Sequence, residues 1–203
     1  MATERVERRL AAILAADVAG YSRLVGVDEE GTLARLKAHR RELIEPKIIE
    51  HRGRIVKTTG DGILAEFGSV IDALRSAIEV QGAISERNVV SPADSRIEFR
   101  IGIHQGDIVV EDGDILGDGV NVAARLEALA EPGGICVSVR VQEDAAGKLD
   151  LVFEDMGEQL LKNITRLVRV YRLVTGQAAT TDTKPGLLPL PTSHPSRCCP
   201  SPI

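Results

Sequence analysis

Apolar and polar residues recur along the chain with two different periods, and the switches between them predict its elements. Leu10 to Asp17 is a run of small apolar residues closed by an aspartate, which predicts a strand buried on both faces. From about Asp28 to His51, Leu33, Leu36, Leu43, Ile44 and Ile48 form the inner stripe of a long helix. Pro46 lies inside that helix and is expected to kink it. Arg54 to Thr58 and Ile63 to Phe67 read as two strands joined by the tight turn Thr59-Gly60-Asp61-Gly62. A second helix is predicted from about Val70 to Arg87, with Ile71, Leu74, Ile78 and Ile84 facing inward. Arg96 to Val110 alternates as a strand does, with Ile97, Phe99, Ile101 and Ile103 on one face. A helix from about Gly119 to Ala130 stops before Pro132-Gly133-Gly134. Short strands near Ile135 to Ser138, Leu151 to Glu154 and Val168 to Val174 complete the pattern, which contains no internal repeat.

The order strand, helix, strand, strand, helix, strand predicts an α+β fold: a ferredoxin-like βαββαβ core with additional C-terminal strands. A crossover helix makes the first two strands parallel, and the third returns between them as a hairpin. Asp17 ends the first strand and Asp61 sits in the hairpin turn after the second. These residues, 44 positions apart, are therefore expected to meet at one edge of the sheet.

Composition limits what such a domain can be. With 203 residues, 43% of them hydrophobic, the chain can bury one core. The domain is read as residues 1–177. From Ala178 to Ile203 the chain holds six of its nine prolines and shows neither period, so this segment is expected to be a disordered tail or a linker truncated before a further domain. The net charge of −5 gives no basic footprint for nucleic acid. No apolar run approaches the roughly 18 residues of a membrane span. Arg5, Arg8 and Arg9 before an apolar run resemble a signal peptide, but Asp17 interrupts the run early. Three cysteines, two of them the adjacent Cys198 and Cys199, make no disulfide framework, and a reducing cytoplasm is the simplest expectation.

Two carboxylates at one sheet edge repel unless a cation lies between them, and a pair of Mg²⁺ ions suits such a site. The plainer alternative is that Asp17 caps a turn and Asp61 is merely a favoured residue before Gly62. The small loop Val18-Ala19-Gly20-Tyr21-Ser22 leads toward a helix and offers backbone N–H groups to phosphate. Asn121 and Arg125, four apart, project from one helix face, while Val122, Ala123 and Leu126 face the other way. The small residues there let the helix sit close to its neighbour. On an ordinary amphipathic helix, Arg125 would simply be solvated.

Four blocks in order carry a resemblance. They are Ala16-Asp17-Val18-Ala19-Gly20-Tyr21-Ser22; Lys57-Thr58-Thr59-Gly60-Asp61-Gly62 followed by Phe67; Arg100-Ile101-Gly102-Ile103-His104-Gln105-Gly106; and Asp114-Ile115-Leu116-Gly117 through Arg125. From Arg8 to Val174 the chain resembles the catalytic domain of class III adenylyl and guanylyl cyclases. The resemblance implies that Asp17 and Asp61 bind two Mg²⁺ ions, with Mn²⁺ as an alternative, and that Val18 lends its backbone carbonyl. It implies that Lys57 and Asp114 read the purine, Asn121 orients the ribose and Arg125 stabilises the transition state. Lys162 matches a phosphate-binding lysine, although Leu167 stands where relatives often carry proline. His104 has no assigned role and is expected to be a hydrogen-bonded structural residue.

Adenine offers an N6 donor and an N1 acceptor, which suit the Asp114 carboxylate and the Lys57 ammonium; guanine presents the reverse pattern. The resemblance therefore implies an adenylate cyclase that converts ATP to cyclic AMP and pyrophosphate. It also implies a homodimer whose sites are shared between subunits, since the chain carries both halves of a site. Three competing readings are a guanylate cyclase, a different two-metal enzyme such as a diguanylate cyclase or polymerase palm, and a catalytically silent nucleotide-binding regulatory domain. The intact metal aspartates, the Lys57/Asp114 pair and the Asn121/Arg125 block argue against them.

Overall fold

The computed structural model describes residues 7–111 and 113–174. The expected tail from Ala178 to Ile203 lies outside the described residues. The chain runs β1 (Glu7–Val18), α1 (Tyr21–Val27), α2 (Glu29–His39), a π-helical turn (Arg40–Ile44), α3 (Glu45–Glu50), β2 (Gly53–Thr59), β3 (Gly62–Phe67) and α4 (Val70–Val89). It continues with β4 (Phe99–Glu111), β5 (Asp114–Leu116), α5 (Asp118–Leu129), β6 (Ile135–Ser138), α6 (Val139–Ala145), β7 (Phe153–Leu160) and β8 (Leu167–Leu173).

One eight-stranded sheet has the order β2-β3-β1-β4-β6-β8-β7, with β5 paired to the far end of β4. Both β1 and β2 are antiparallel to β3, so β1 and β2 run the same way with the hairpin strand between them. This is the expected α+β, ferredoxin-like core, and β6, β7 and β8 extend it past β4.

The alternation of β1 decides what covers each face. Ala12, Leu14, Ala16 and Val18 pack with Leu36, Ile44, Ile48, Leu74 and Ile84 of the long helices. Ala11, Ile13 and Ala15 face the other way, into a cluster with Leu64, Ile108, Ile115 and Ala123 of α5. The first strand is thus buried on both faces, as its unbroken apolar run requires. The α5 helix lies directly against β4 because the strand is glycine there. A Cβ on Gly102 would stand 2.2 Å from the Glu127 amide nitrogen and 2.3 Å from the Ala123 carbonyl oxygen.

Several local readings are corrected. The loop after Asp17 contains a helix, α1, entered through Gly20 in the left-handed conformation (φ 67°). Pro46, expected to kink the first long helix, follows a local irregularity in it. The hydrogen-bond ladder shifts just before it, the Glu45 amide donating to the Arg40 carbonyl in a π turn, and the chain continues as α3. Leu33 is only half-buried, whereas Leu36, Leu43, Ile44 and Ile48 are buried as expected. The strand predicted from Arg96 begins at Phe99, and the strand predicted at Leu151 to Glu154 is β7, running to Leu160.

Candidate active site

Strand register assembles the first group of residues. Ala16 pairs with Ile63, and Thr59 pairs with Gly62 across the two-residue turn Gly60-Asp61. Asp17, one residue past Ala16, therefore meets the turn that carries Asp61, at the expected edge. Gly60 supplies the positive φ (58°) that a two-residue hairpin needs at its first central position. Asp17 also pairs across β4 with Arg100, whose guanidinium donates to Asp17 Oδ2 at 2.9 Å. The same Arg100 nitrogen lies 3.2 Å from Glu127 Oε1 on α5, without the alignment of a hydrogen bond. Val18 is buried and pairs with Phe99.

This edge is short of positive charge. The Asp61 carboxyl is raised above its ordinary value, first by burial and then by the adjacent Asp17 carboxylate. Burial pushes Glu127 up to about 7; Arg100 opposes this, and the charges of Asp17 and Asp61 add to it. Among the described residues, no group of three or more acidic, histidine or cysteine side chains is placed to hold a metal unaided. Two adjacent carboxylates, one of them with its proton affinity raised by burial and by its neighbour, nevertheless fit a hard cation of the Mg²⁺ type. Such an ion accepts one or two protein carboxylates and completes its shell with water and phosphate oxygens.

A second group forms where β5 folds toward β2. Lys57 Nζ donates to both oxygens of Asp114, at 2.7 and 3.0 Å. The ammonium holds the Asp114 carboxyl below the usual carboxylate range, helped by the Ile115 amide. A β-bulge between Ile55 and Lys57 shifts the strand register at this point. Val56, next to Lys57, and Val120 of α5 both pack against the cluster of Ala11, Ile13 and Ala15.

The third group lies on the outer side of α5. Asn121 is exposed, and Arg125 is half-buried with its Nε donating to the Lys162 carbonyl oxygen at 3.2 Å. Val122 and Leu126 bury the opposite side of the helix, together with Leu161 and Ile164. Those two apolar residues anchor the loop, while Lys162 between them is exposed. Among the described residues, no hydrogen bond or ion pair joins Asp17 or Asp61 to the Lys57–Asp114 pair or to Arg125 and Lys162.

His104 is buried, with Nδ1 2.8 Å from Ser138 Oγ, and burial lowers its pKa to about 4. It is the hydrogen-bonded histidine anticipated from the sequence. Three residues at the acidic edge were not singled out. Arg100 stands opposite Asp17 only once the β1–β4 register is known, and Glu127 reaches it only because Gly102 lets α5 approach. Arg40 did leave a signal: it is a charged residue four after Leu36 and four before Ile44, in the middle of the inner stripe.

The family described as "Adenylate and Guanylate cyclase catalytic domain" matches residues 6–174. A protein of Rhizobium meliloti (strain 1021) named "Putative adenylate cyclase 3" is 49% identical over 171 residues, which are 84% of this chain and 29% of that protein. A crystal structure of an adenylate/guanylate cyclase/hydrolase from Silicibacter pomeroyi is 55% identical, with a TM-score of 0.79 over 84% of this chain and 99% of that one. The adenylyl cyclase CyaB from P. aeruginosa shares the fold at 22% identity, with a TM-score of 0.74 over 85% of this chain and 97% of that one. The chain belongs to the adenylate and guanylate cyclase catalytic domain family, the class III nucleotidyl cyclases. It spans less than half the length of the curated relatives it matches first, 29%, 19% and 35% of them. Among the described residues, no helix is long and apolar enough to cross a membrane.

Proposed function

We propose that the chain is an adenylate cyclase domain that converts ATP to 3′,5′-cyclic AMP and pyrophosphate in a homodimer. The observation that carries the choice of substrate is the Lys57–Asp114 pair, 2.7 Å apart at closest and open to solvent. A carboxylate accepts from the adenine N6 amino group while an ammonium donates to N1. Guanine would set an acceptor against Asp114 and a donor against Lys57, and unpaired polar groups at a closed base site are costly. The name of the Rhizobium meliloti relative agrees with this reading.

In the reaction the ribose 3′-oxygen bonds to the α-phosphorus, the bond from that phosphorus to the β-phosphate bridging oxygen breaks, and the 3′-hydroxyl proton is released. Asp17 and Asp61, with the Val18 carbonyl, would hold two Mg²⁺ ions, which lower the pKa of the 3′-hydroxyl and offset the charge of the departing pyrophosphate. Asn121 orients the ribose from the exposed face of α5. Arg125, one helical turn further on, meets charge developing on the α-phosphate oxygens. Lys162 binds the phosphate chain from the adjoining loop. Arg125 exchanges its bond to the Lys162 carbonyl for the substrate.

The dimer reading has its support in the separation of the groups. The two aspartates lie in one contact network, the base pair and the α5 residues in others, and one chain carries all of them. Two copies arranged head to tail would complete two equivalent sites, each joining the aspartates of one copy to the α5 face of its partner. Product chromatography on purified protein, with ATP or GTP and with Mg²⁺ or Mn²⁺, tests the proposal. Cyclic AMP from ATP is the expected product. Cyclic GMP made in preference would overturn the reading of the base pair, and no product under any condition would mark a silent nucleotide-binding module.

A further inference from the structure

The π turn places a cation where the helix pattern calls for an apolar side chain. Leu36, Arg40, Ile44 and Ile48 recur at intervals of four, and the first, third and fourth are buried in the core under β1 and β3. Arg40 is half-buried, and among the described residues its buried Nε has no partner. Holding a guanidinium on this stripe is costly unless its remaining N–H groups find acceptors. One terminal nitrogen does: it donates to the Gly60 carbonyl and lies 3.4 Å from the Gly62 carbonyl, the residues on either side of Asp61.

The turn is built to need such a partner. Glycine on both sides of Asp61 gives the backbone its widest conformational freedom. Among the described residues, a side chain added at Gly60 would meet nothing within 4 Å, so none of them packs on the turn from that side. Among the described residues, the hydrogen bonds that reach the Gly60 and Gly62 carbonyls from outside the hairpin are those of Arg40. On the opposite side of the sheet, Asp17 is already tied to Arg100 on the rigid β4 strand. Of the two carboxylates, Asp61 is the one carried by a turn, whereas Asp17 lies within a strand.

We propose that Arg40 is a positioning residue, which fixes the Gly60-Asp61-Gly62 turn from the helix side so that the Asp61 carboxylate is held in register with Asp17. The inference rests on the metal role assigned to Asp61 above. The π turn belongs to the device, because it carries Arg40 on the inner face while Leu43, Ile44 and Ile48 return to the core beyond it.

The test uses the full chain as wild type, Arg40→Met, Arg40→Lys and Asp61→Asn. Hydrogen–deuterium exchange of residues 59–63 in metal-free protein reads the turn directly. Calorimetric titration with Mn²⁺ alone reads the carboxylate pair, and the Mg²⁺ concentration for half-maximal turnover reads the working site. Arg40→Met is expected to speed exchange in residues 59–63 while the centres of β1 and β4 stay protected. It should weaken Mn²⁺ binding and raise the half-saturating Mg²⁺ concentration by about 10- to 100-fold, the range for losing a group that orients a metal ligand. Arg40→Lys, with a charge but no fork, should fall between. A merely structural loss would lower the active fraction without moving the half-saturating Mg²⁺ concentration. Unchanged exchange in the turn together with unchanged Mn²⁺ affinity in Arg40→Met overturns the proposal. Should Arg40→Met lose protection throughout, Arg40→Lys decides: loosening confined to the turn supports the brace, and its absence overturns it. If Asp61→Asn binds Mn²⁺ as wild type does, the metal assignment fails, and exchange of the turn still decides the role of Arg40.

Discussion

The Arg100 guanidinium is bonded to Asp17 Oδ2 at 2.9 Å, while Asp61, beside it, has no cation in such contact among the described residues. The two aspartates therefore differ before any metal arrives. Replacing either should abolish turnover, yet their effects on the metal-free fold should have opposite signs. Asp61→Asn removes a repulsive charge and should raise the melting temperature. Asp17→Ala strips Arg100 of its partner and leaves it with the misaligned Glu127, so it should lower the melting temperature. Thermal melting in chelator, alongside turnover with Mg²⁺ and Mn²⁺, checks both. Wild-type turnover in either variant would remove these residues from the site.

Glu127 gives the metal-free protein a pH dependence whose sign is fixed. Its carboxyl is pushed from 4.5 up to about 7, chiefly by burial. The folded state then binds this proton more tightly than the unfolded chain, so its contribution to stability is full below pH 4.5 and is lost as pH rises toward about 7. Glu127→Gln keeps the shape without the titration and should flatten the melting temperature across that interval. Equal slopes in the two proteins would show that Glu127 ionises normally.

The chain pattern made the core order legible because β1 holds an unbroken apolar run and Gly60 and Gly62 punctuate the hairpin between β2 and β3. That was enough to bring Asp17 and Asp61 together without coordinates. What stayed hidden depends on contacts between distant segments. Nothing local marks Arg100 as the partner of Asp17, since the pairing is set by the β1–β4 register. The short helices α1 and α6, of seven residues each, have too few turns for a period to emerge. The three-residue strand β5 exists because it pairs with β4, and residues 114–116 carry no alternation of their own. Before Pro46 the irregularity takes the form of a π turn, Arg40–Ile44, which no residue spacing announces.

The base-reading pair can be tested by exchange of its donor and acceptor. Lys57→Glu with Asp114→Cys should shift preference from ATP toward GTP. A well-formed base contact is worth about 1–3 kcal/mol of discrimination, so the ratio of the two kcat/KM values should fall about tenfold or more. The salt link between these side chains means that single substitutions strand the other partner. The double variant is the cleaner measurement, with each single variant as its control. An unchanged ratio would show that the pair does not contact the purine.

The shared site is tested by mixing two inactive proteins. Asp17→Ala lacks a metal-binding carboxylate, and Arg125→Ala lacks the guanidinium that meets the developing charge. Each homodimer carries its lesion in both sites and should be nearly inactive. After dissociation and random re-pairing, half of the dimers are mixed. In a mixed dimer one site joins the intact Asp17 of one chain to the intact Arg125 of the other, and the second site holds both lesions. Activity should recover to about a quarter of wild type per total protein if the sites act independently. A site built within a single chain predicts no recovery, because every chain in the mixture keeps its own lesion. Arg125 bonds to Lys162 of its own chain while Asp17 bonds to Arg100, so neither substitution disturbs the contacts of the other. Recovery would therefore report complementation between subunits. Activity equal to the sum of the two variants, with subunit exchange confirmed by native mass spectrometry, would place the whole site in one chain.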